Sequence, residues 1–423
     1  MTAAYLDNLL AAFDSEPLAG EELVALMQAG LPDPTAGLQR LPVAARRWLP
    51  PTRLLRAASL TVDPFLLRGA SVAAGRASAG AVYHLAGASL PLASRLPVVA
   101  TLLDLAPWEL PQAYQGGPAA HLGERLRARL LRDASLIVGS EAVARSAARL
   151  LRARPGRIHV VPFAPNPAAA AICAGPYAVS DDRGFAAGIA GTIALEREIL
   201  GLPDRYLILL GRYDARTDIP TLLDALAALN EQSRPAILST EAPWPPVLLL
   251  AGARPEDRSS LMRAAGRRGL DGQLIYAEPL PGERFATVVA GARAAIRSAV
   301  SDAVGSLAID AIACGTPVVA SAVGALPEAI GGAGILVEPR DSAHMARAIE
   351  AVWSDDSLHL RLRKAATVAA RELPTWVDVA WMTRAVYAAA AGVGTTAAEA
   401  PAQNPDAAAG QIGPGLADPG ESL

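Results

Sequence analysis

Residues 297–338 constrain the fold of this chain more than any other stretch. They read RSAVSDAVGSLAIDAIACGTPVVASAVGALPEAIGGAGILVE. Apolar residues at helical spacing follow Gly305, and the Gly-Thr-Pro turn at 315–317 ends that helix. Residues 318–320 then predict a buried strand, and the turn at Gly324 opens a second helix. Two loops that each lead from a strand end into a helix N-terminus favour the binding of anions.

Short apolar runs alternate with helical patterns in the rest of the chain. The runs of the first part lie at 22–27, 81–84, 97–102, 135–140 and 158–162. Those of the second part lie at 205–210, 246–252, 273–276 and 294–300. The alternation predicts βαβ units and mostly parallel sheets. An amphipathic helix is expected over 1–16, and residues 31–56 predict a Pro- and Arg-rich connection.

Composition divides the chain into segments. Residues 1–165 and 201–375 each carry the alternating pattern and predict two domains. Between them, residues 166–200 are rich in Ala, Gly and Pro without a sustained period, which predicts a linker with an irregular insertion. A last amphipathic helix at 376–390 is expected to return to the first domain. The Ala/Gly/Pro-rich tail at 391–423 is expected to be disordered.

Charge and composition argue against several classes of protein. The net charge of −3 argues against nucleic acid as a partner. We find no apolar run of about 20 residues and no signal-peptide pattern, so we expect a cytoplasmic protein. The arginines at 40–56 and 125–132 suit a peripheral contact with the inner face of the membrane, although a solvated helix face explains the second group equally well. Cys173 and Cys314 are too few for a disulfide framework or a metal site.

Lysine is almost absent from the chain. Lys364 is the only one, and every other basic side chain that stays charged is an arginine. A phosphate site in this protein therefore has to use arginine side chains or backbone N–H groups.

Several segments of the sequence resemble those of the retaining, nucleotide-sugar-dependent glycosyltransferases of family 4, also called glycosyltransferase group 1. They span most of residues 80–390 in the family's order, and they are RDASLIVGSEAVARSAARLL with RIHVVPFAPN, YLILLGRYDARTDIPTLLDALAAL, IACGTPVVASAVGALPEAIGGAGILVEPRD and LPTWVDVAWMTRAVY. The resemblance implies an α/β fold of the GT-B type, with two Rossmann-like parallel-sheet domains facing each other across a cleft. The family also has a strand and a Gly-rich loop ahead of the helix that begins this chain. We therefore expect either an upstream start or a first sheet without its central strand.

The resemblance assigns roles to two acids of the 297–338 stretch. The family has a glutamate, seven residues and a second glutamate, and this chain has Asp302 and Asp310 at those positions. The first acid would bind hydroxyls of the donor sugar and the second the ribose of the nucleotide. Aspartate is one methylene shorter, which is roughly 1.3–1.5 Å of reach. The alternative is that Asp302 caps the following helix and Asp310 is a solvated helix residue.

The family's diphosphate clamp is only partly present. The clamp consists of an arginine after a strand and a lysine five residues later. Arg212 matches the arginine, Thr217 replaces the lysine, and Arg216 is a neighbouring substitute. The leaving nucleoside diphosphate gains negative charge, which fixed cations or helix amides must stabilise. The amides that begin the helix after Asp302 belong to Gly305, Ser306 and Leu307.

Three further positions follow from the resemblance. Gly324 would let the backbone approach the donor sugar beside Glu328, although Glu328 could equally favour the N-terminus of its own helix. Asp104 matches the aspartate of a His-Asp pair in the family and is a catalytic candidate with Asp302, while Leu103 replaces the histidine. His84 follows a strand, where a structural role is the more common one.

The resemblance implies transfer of a hexose, with retention, from a nucleotide diphosphate sugar to a hydroxyl of a saccharide or lipid-linked acceptor. In this mechanism the leaving phosphate helps to deprotonate the acceptor, and no metal or other cofactor is expected. The acidic pairs at 181–182 and 355–356 are not expected to bind metal, and no glycine cluster follows the dinucleotide pattern. The alternative is a catalytically reduced GT-B protein that binds or scaffolds, because four polar functional positions depart from the family: Leu103, Thr217, Asp302 and Asp310. An epimerase or a phosphorylase is the weaker third hypothesis, since a phosphorylase needs a cofactor lysine.

Overall fold

The chain folds into two α/β halves, each organised on parallel strands. The computed structural model describes residues 2–28, 32–49, 80–86, 96–114, 118–174, 182–211, 213–240 and 242–392. No helix within these ranges is long and apolar enough to cross a bilayer. The predicted tail at 391–423 lies outside them except for its first two residues.

The first elements form a small sheet of their own. Helix α1 (Thr2–Ser15) is followed by β1 (Leu23–Gln28) and β2 (Val43–Leu49), which pair in parallel. Strand β2 lies in the stretch predicted to be a connection, so that prediction is wrong there. The composition is misleading because Arg46, although exposed, forms an ion pair with Asp33 while its backbone pairs with β1.

A four-stranded parallel sheet carries the rest of the first half. Its strands pair in chain order and are β3 (Tyr83–Ala86), β4 (Val98–Thr101), β5 (Ser135–Val138) and β6 (Ile158–Val160). The helices between them are α2 (Ala106–Glu109), α3 (Pro111–Tyr114), α4 (Pro118–Leu131) and α5 (Glu141–Leu151). These four strands pair consecutively and none of them pairs with β1 or β2. The expectation of an upstream start or a first sheet without its central strand stays a prediction.

Residues 166–200 are helical rather than irregular where the structure describes them. They form α6 (Pro167–Ala174) and α7 (Asp182–Leu200). Alanine is the strongest helix former and proline suits the first helical turn, so helices arise here without a marked hydrophobic period. Both helices pack on the second half, where Arg284 forms a bidentate ion pair with the buried Glu196 at 2.7 and 2.8 Å.

The second half is built on a six-stranded parallel sheet. Its strands are β7 (Leu207–Leu209), β8 (Leu248–Ala251), β9 (Leu274–Ala277), β10 (Ala294–Arg297), β11 (Val318–Ser321) and β12 (Gly334–Val337). They lie in the order β12-β11-β10-β7-β8-β9. The chain leaves β7 towards β8 on one side and returns to β10 on the other. The loops after β7 and β10 therefore diverge, and an open α/β sheet binds ligands in the crevice at such a point.

Helices cover both faces of this sheet. They are α8 (Ile219–Asn230), α9 (Pro255–Gly266), α10 (Gly282–Gly291), α11 (Ser306–Ala313), α12 (Leu326–Ile330), α13 (Ser342–Ser354) and α14 (Asp356–Glu372). The sequence analysis did not assign α10. The last helix, α15 (Trp376–Ala391), packs against α1, β4 and β5 of the first half. Its Trp376 indole donates to the carbonyl of Pro165 at 2.8 Å.

Candidate functional site

The crevice at the divergence of β7 and β10 is closed from the opposite side by the first half. A small cavity there is lined by the loop after β4, the loop after β7 and the loop between β10 and α11. Five of the predicted site residues line this cavity, namely Asp104, Arg216, Asp302, Ser306 and Leu307. We call it the first cavity.

Asp302 is held on both oxygens by the protein itself. Its Oδ2 accepts from Nε of Arg297 at 2.9 Å, and each side chain of this ion pair is only 8% exposed. Its Oδ1 accepts from the amides of Val304 and Gly305 at 3.2 and 2.7 Å. A carboxylate offers about four acceptor positions, so most of this capacity is already used. Asp302 therefore both lines the cavity and caps the approach to α11.

Arg297 is a site residue that the sequence analysis missed. Besides Asp302, its guanidinium donates from Nη1 to the carbonyl of Leu210 at 3.4 Å and to Oγ1 of Thr217 at 3.1 Å. These bonds use Nε and Nη1, and they place a cation beside the position where the family has a lysine. The available signal was an arginine ending a strand, AAIR, whose residues are all buried.

Arg216 joins the two halves across the cavity. Its Nη1 donates to Asp104 of the first half at 2.8 Å, and its Nε donates to Asp214 at 3.1 Å. A second bond from Nη2 to Asp214 completes a fork. Hydrogen bonds to Asp214 raise the pKa of Arg216 above its ordinary value, so the side chain stays charged. Arg212, the other predicted phosphate ligand, lies outside the described residues.

Asp310 lies on α11 but does not line the first cavity. Its Oδ1 accepts from the backbone amide of Asn166 at 2.7 Å. Burial raises the pKa of Asp310 to about 6. The idea that it is a solvated helix residue is therefore wrong, because it is largely removed from water against the segment that joins the halves.

Glu328 contacts the other half of the molecule rather than its own helix. Its two carboxylate oxygens accept from the backbone amides of Glu141 and Ala142, at 2.8 and 2.7 Å. These amides begin α5, whose N-terminus carries partial positive charge. Glu328 does lie in the first turn of its own helix, and its role beside a donor sugar stays a prediction. The contact with the other half was not predicted, because residues 187 positions apart give no local sequence signal.

Gly324 makes a close contact between two loops of the second half. Its φ is +54°, and a Cβ atom at this position would lie 1.9 Å from the carbonyl oxygen of Asp302. The next amide, that of Ala325, donates to the same oxygen at 2.9 Å. The close approach that Gly324 permits in this structure is to the backbone of Asp302, and its approach to a donor sugar stays a prediction.

A second cavity, of about 350 Å³, lies on the far side of these loops. The first half contributes the end of α2 and the last turns of α5, and the second half contributes the residues after β10 and β11. Glu109 lines it and accepts a hydrogen bond from Oγ of Ser301 at 2.5 Å. Ser301 lines the first cavity, so this bond lies between the two. Burial raises the pKa of Glu109.

His84 belongs to the core of the first half and not to the site. Its Nε2 lies 2.8 Å from Oγ1 of Thr101, and its Nδ1 lies 2.6 Å from the hydroxyl of Tyr387. Burial lowers the pKa of His84 to about 4, so the ring is neutral near pH 7. The structural role is the one observed.

The acidic pair Asp355 and Asp356 has structural partners. Asp355 caps α14 through the amide of Leu358 at 2.9 Å. Asp356 accepts from Arg205 and Arg293 at 3.1 and 2.6 Å. Throughout the described ranges, no group of three His, Cys, Asp or Glu side chains is arranged to hold a metal ion.

A comparison with protein families identifies the second half. Residues 204–355 match the family model described as "Glycosyl transferases group 1". Over these residues the second half is similar to this family. The match covers the six-stranded sheet and the two loops of this half that line the first cavity, so the resemblance inferred from the sequence is confirmed for this part.

Curated relatives match over a similar region. A D-inositol 3-phosphate glycosyltransferase of Streptomyces avermitilis is 33% identical over 207 residues, which is 47% of this chain and 43% of that protein. An O-antigen chain mannosyltransferase B of Escherichia coli is 30% identical over 156 residues, or 36% of this chain and 38% of that protein. The chain is thus similar to less than half the length of these relatives.

Solved structures match over nearly the whole chain. Sucrose-phosphate synthase of Thermosynechococcus elongatus has a TM-score of 0.62 at 20% identity, covering 90% of this chain and 92% of that one. Anabaena HepE in complex with UDP and glucose has a TM-score of 0.60 at 16% identity, covering 90% and 94%. The glycosyltransferase WaaG has a TM-score of 0.60 at 14% identity, covering 93% and 95%. The predicted fold class, α/β of the GT-B type, is confirmed.

Proposed function

We propose that the protein is a retaining glycosyltransferase that moves a hexose from a nucleotide diphosphate sugar to a hydroxyl acceptor. The observation that carries the proposal is the first cavity, where loops from both halves bring Arg216, Arg297 and Asp302 together at the point where β7 and β10 diverge. The family match of the second half and its similarity to the two named transferases support a transferase. A structural neighbour solved with UDP and glucose supports the nucleotide sugar as donor.

In this proposal the diphosphate lies against Arg216, Arg297 and the amides that begin α11. Guanidinium groups and helix N-termini stabilise negative charge that develops on a leaving phosphate. The bond between the anomeric carbon and the phosphate oxygen breaks, and the acceptor oxygen bonds to the same face of that carbon. The acceptor proton passes to the leaving phosphate. Asp302 binds a hydroxyl of the sugar, Asp310 binds the ribose, and no cofactor takes part.

The geometry adds a requirement for donor binding. Arg216 already forms ion pairs with Asp104 and Asp214, and Arg297 with Asp302. A diphosphate must therefore compete with carboxylates for both arginines. The bond to Asp104 is the one most easily exchanged, because it is a single bond between the halves, whereas Asp214 holds the guanidinium through two bonds. Donor binding then changes the contact between the halves as well as the charge of the site.

The acceptor in this proposal is a saccharide or a lipid-linked saccharide. The relatives are named for an inositol phosphate and for an O-antigen chain, and both of these compounds are rich in hydroxyl groups. The proposed location is the cytoplasm, with peripheral membrane contact where the acceptor carries a lipid.

Nucleotide binding and donor turnover test the proposal directly. We expect UDP or GDP to raise the melting temperature of the protein, since a ligand that binds only the folded state stabilises it. We also expect slow hydrolysis of the matching radiolabelled nucleotide sugar. Arg216→Gln should weaken both effects, whereas Arg267→Gln, an exposed arginine on the far end of α9, should not. Absence of any effect of the nucleoside diphosphates on the wild-type protein would contradict the proposal.

A catalytically reduced binding protein is the second candidate. Its support is that Asp302, Arg216 and Glu328 all form hydrogen bonds with other residues of the protein. The bonds of Arg216 to Asp104 and of Glu328 to Glu141 cross to the opposite half. This candidate expects nucleotide binding without hydrolysis or transfer with any donor. Hydrolysis of a nucleotide sugar that disappears in Arg216→Gln would reject it.

A further inference from the structure

The second cavity has the composition of a site for a small polar molecule with an apolar face. Trp108 and Leu150 from the first half and Val323 from the second supply apolar surface. Glu109 and Ser146 supply groups that bind hydroxyls. Cavities of a few hundred Å³ that combine apolar walls with a few polar groups are typical ligand sites. A volume of about 350 Å³ suits a ligand of the size of one sugar ring with a small substituent.

Trp108 adds a polar group that has no partner. Its indole Nε1 is buried, and no acceptor for it occurs in the part of the chain that the structure describes. The Nε1 atom is shielded from solvent, so Trp108 offers the cavity the apolar part of its ring. The Arg127 guanidinium lies 4.6 Å from the centre of the indole ring and holds the ring in place.

Glu109 connects this cavity with the proposed donor site. The hydrogen bond from Ser301 joins a residue that lines the first cavity to one that lines the second. A hydroxyl group bound to Glu109 would therefore lie at the boundary of the two cavities. This is the position that an acceptor hydroxyl needs in order to reach a donor sugar in the first cavity.

Arg149 gives the second cavity a positive charge. It lies in the last turn of α5, is exposed and lines the cavity. Glu109 lines the same cavity, and burial raises the pKa of Glu109 while the charge of Arg149 opposes that rise. No ion pair of Arg149 is found among the described side chains, whereas Arg216 and Arg297 are each paired with aspartates. A guanidinium at the mouth of a cavity binds phosphate or carboxylate groups well.

We infer that the second cavity is the acceptor site and that Arg149 selects acceptors carrying an anionic group. The sugar ring of the acceptor lies against Trp108, one hydroxyl meets Glu109, and the anionic group binds Arg149 at the mouth. The inference rests on the proposed function, because it takes the first cavity as the donor site. The anionic group is a phosphate or a carboxylate, and the experiment distinguishes them.

Calorimetric titration of the full chain, saturated with UDP, tests the inference. The probes are hexose and cyclitol monophosphates, hexuronates, and the neutral parent sugars. We expect at least one anionic sugar to bind about tenfold or more tightly than its neutral parent. Arg149→Gln should remove this difference while leaving the binding of UDP unchanged. Arg145→Gln is the matched control, since Arg145 is exposed one turn earlier on α5 and does not line the cavity.

Each outcome has a definite meaning. Tight binding of the monophosphates alone identifies phosphate as the anionic group, and tight binding of the hexuronates alone identifies carboxylate. Equal binding of anionic and neutral sugars overturns the inference, as does an Arg149→Gln variant that binds like wild type. If UDP binds but anionic sugars bind no more tightly than neutral ones, the acceptor assignment is wrong and the proposed function is not affected. Failure of UDP itself to bind contradicts the proposed function, and the acceptor assignment with it.

Discussion

At the scale of single residues, the pairing of Asp302 with Arg297 governs both stability and the site. We expect Asp302→Asn to lower the free energy of unfolding by about 3 kcal/mol, because breaking a buried ion pair leaves an uncompensated charge. Both side chains are 8% exposed, so water cannot replace the lost partner. Urea unfolding measures the change.

A double-mutant cycle separates the pair from its surroundings. The variant R297M/D302N should be more stable than D302N alone, since it no longer buries an unpaired guanidinium. Asp271→Asn, at an exposed turn, is the control and should change little. If the effects of R297M and D302N on the free energy of unfolding simply add, the two side chains do not stabilise each other as described.

Asp310 predicts a dependence of stability on pH. The pKa of Asp310 in the folded protein, about 6, lies above the ordinary value of 3.8, so the folded protein favours the protonated form. Its contribution to stability is complete below about pH 4 and is lost as the pH rises through about 6. We expect Asp310→Asn, whose amide oxygen can still accept from Asn166, to be about 1–2 kcal/mol more stable than wild type at pH 7.5. The difference should disappear near pH 4 in denaturant titrations at the two pH values, and a constant difference would contradict the assignment.

The same residue also separates stability from function. Asp310→Asn should weaken nucleotide binding if the carboxylate holds the ribose, even though the fold becomes more stable. A role in binding would explain why a carboxylate stands at a position where it lowers stability.

At the scale of elements, the turn after β11 is set by Gly324. We expect Gly324→Ala to lower the free energy of unfolding by at least about 3 kcal/mol, because it adds a left-handed non-glycine residue and a steric clash with a backbone that cannot move freely. Gly332→Ala is the matched control, since no heavy atom lies within 4 Å of a Cβ at that position. Thermal or urea unfolding of the two variants checks the difference. Equal stability of both would show that the loop after β10 can shift to accommodate the methyl group.

The sequence predicts elements well where the hydrophobic period is clear and poorly where it is not. Strands β7, β10 and β11 of the second half follow their apolar runs closely because all of their residues are buried. Helix α7 was missed because its alanines and glycines form no strong apolar stripe, and those at 190, 191 and 194 are exposed. The helix contacts the second half through larger side chains, since a Cβ at Gly291 of α10 would lie 2.6 Å from Ile193.

The candidate site divides in the same way. Asp104, Arg216 and Asp302 could be predicted from the resemblance to the family. Arg216 and Asp302 follow strands of one parallel sheet, and Asp104 follows a strand of the other half that faces them. Arg297 was missed because it is the last residue of a buried strand, where an apolar side chain is the usual expectation. Glu109, Arg149 and Glu328 matter through contacts between the halves, which no local pattern in the sequence records.

At the scale of the whole molecule, polar contacts between the described residues join the halves across the crevice. They include Arg216 with Asp104, Ser301 with Glu109, and Glu328 with the start of α5. We expect Glu328→Ala to open the crevice, because the carboxylate and the amides of α5 attract each other through charge. Small-angle X-ray scattering should give a larger radius of gyration for this variant than for wild type.

Salt provides the control for this prediction. At about 0.5 M NaCl, screening should move the wild-type protein towards the scattering of the variant, since the contact is exposed. Glu338→Ala removes a carboxylate from the same half and should leave the scattering unchanged. A Glu328→Ala protein with wild-type dimensions at low salt would mean that the other contacts suffice to hold the halves together.

The carboxylate of Glu328 also turns the first amides of α5 into a reporter. The N–H groups that begin a helix have no partner within it, so they normally exchange their hydrogens with solvent quickly. In this protein the amides of Glu141 and Ala142 are covered only while the second half is in place against α5. The rate at which these two hydrogens are replaced by deuterium therefore measures how often the halves separate, and a ligand that closes the crevice should slow it without touching either residue.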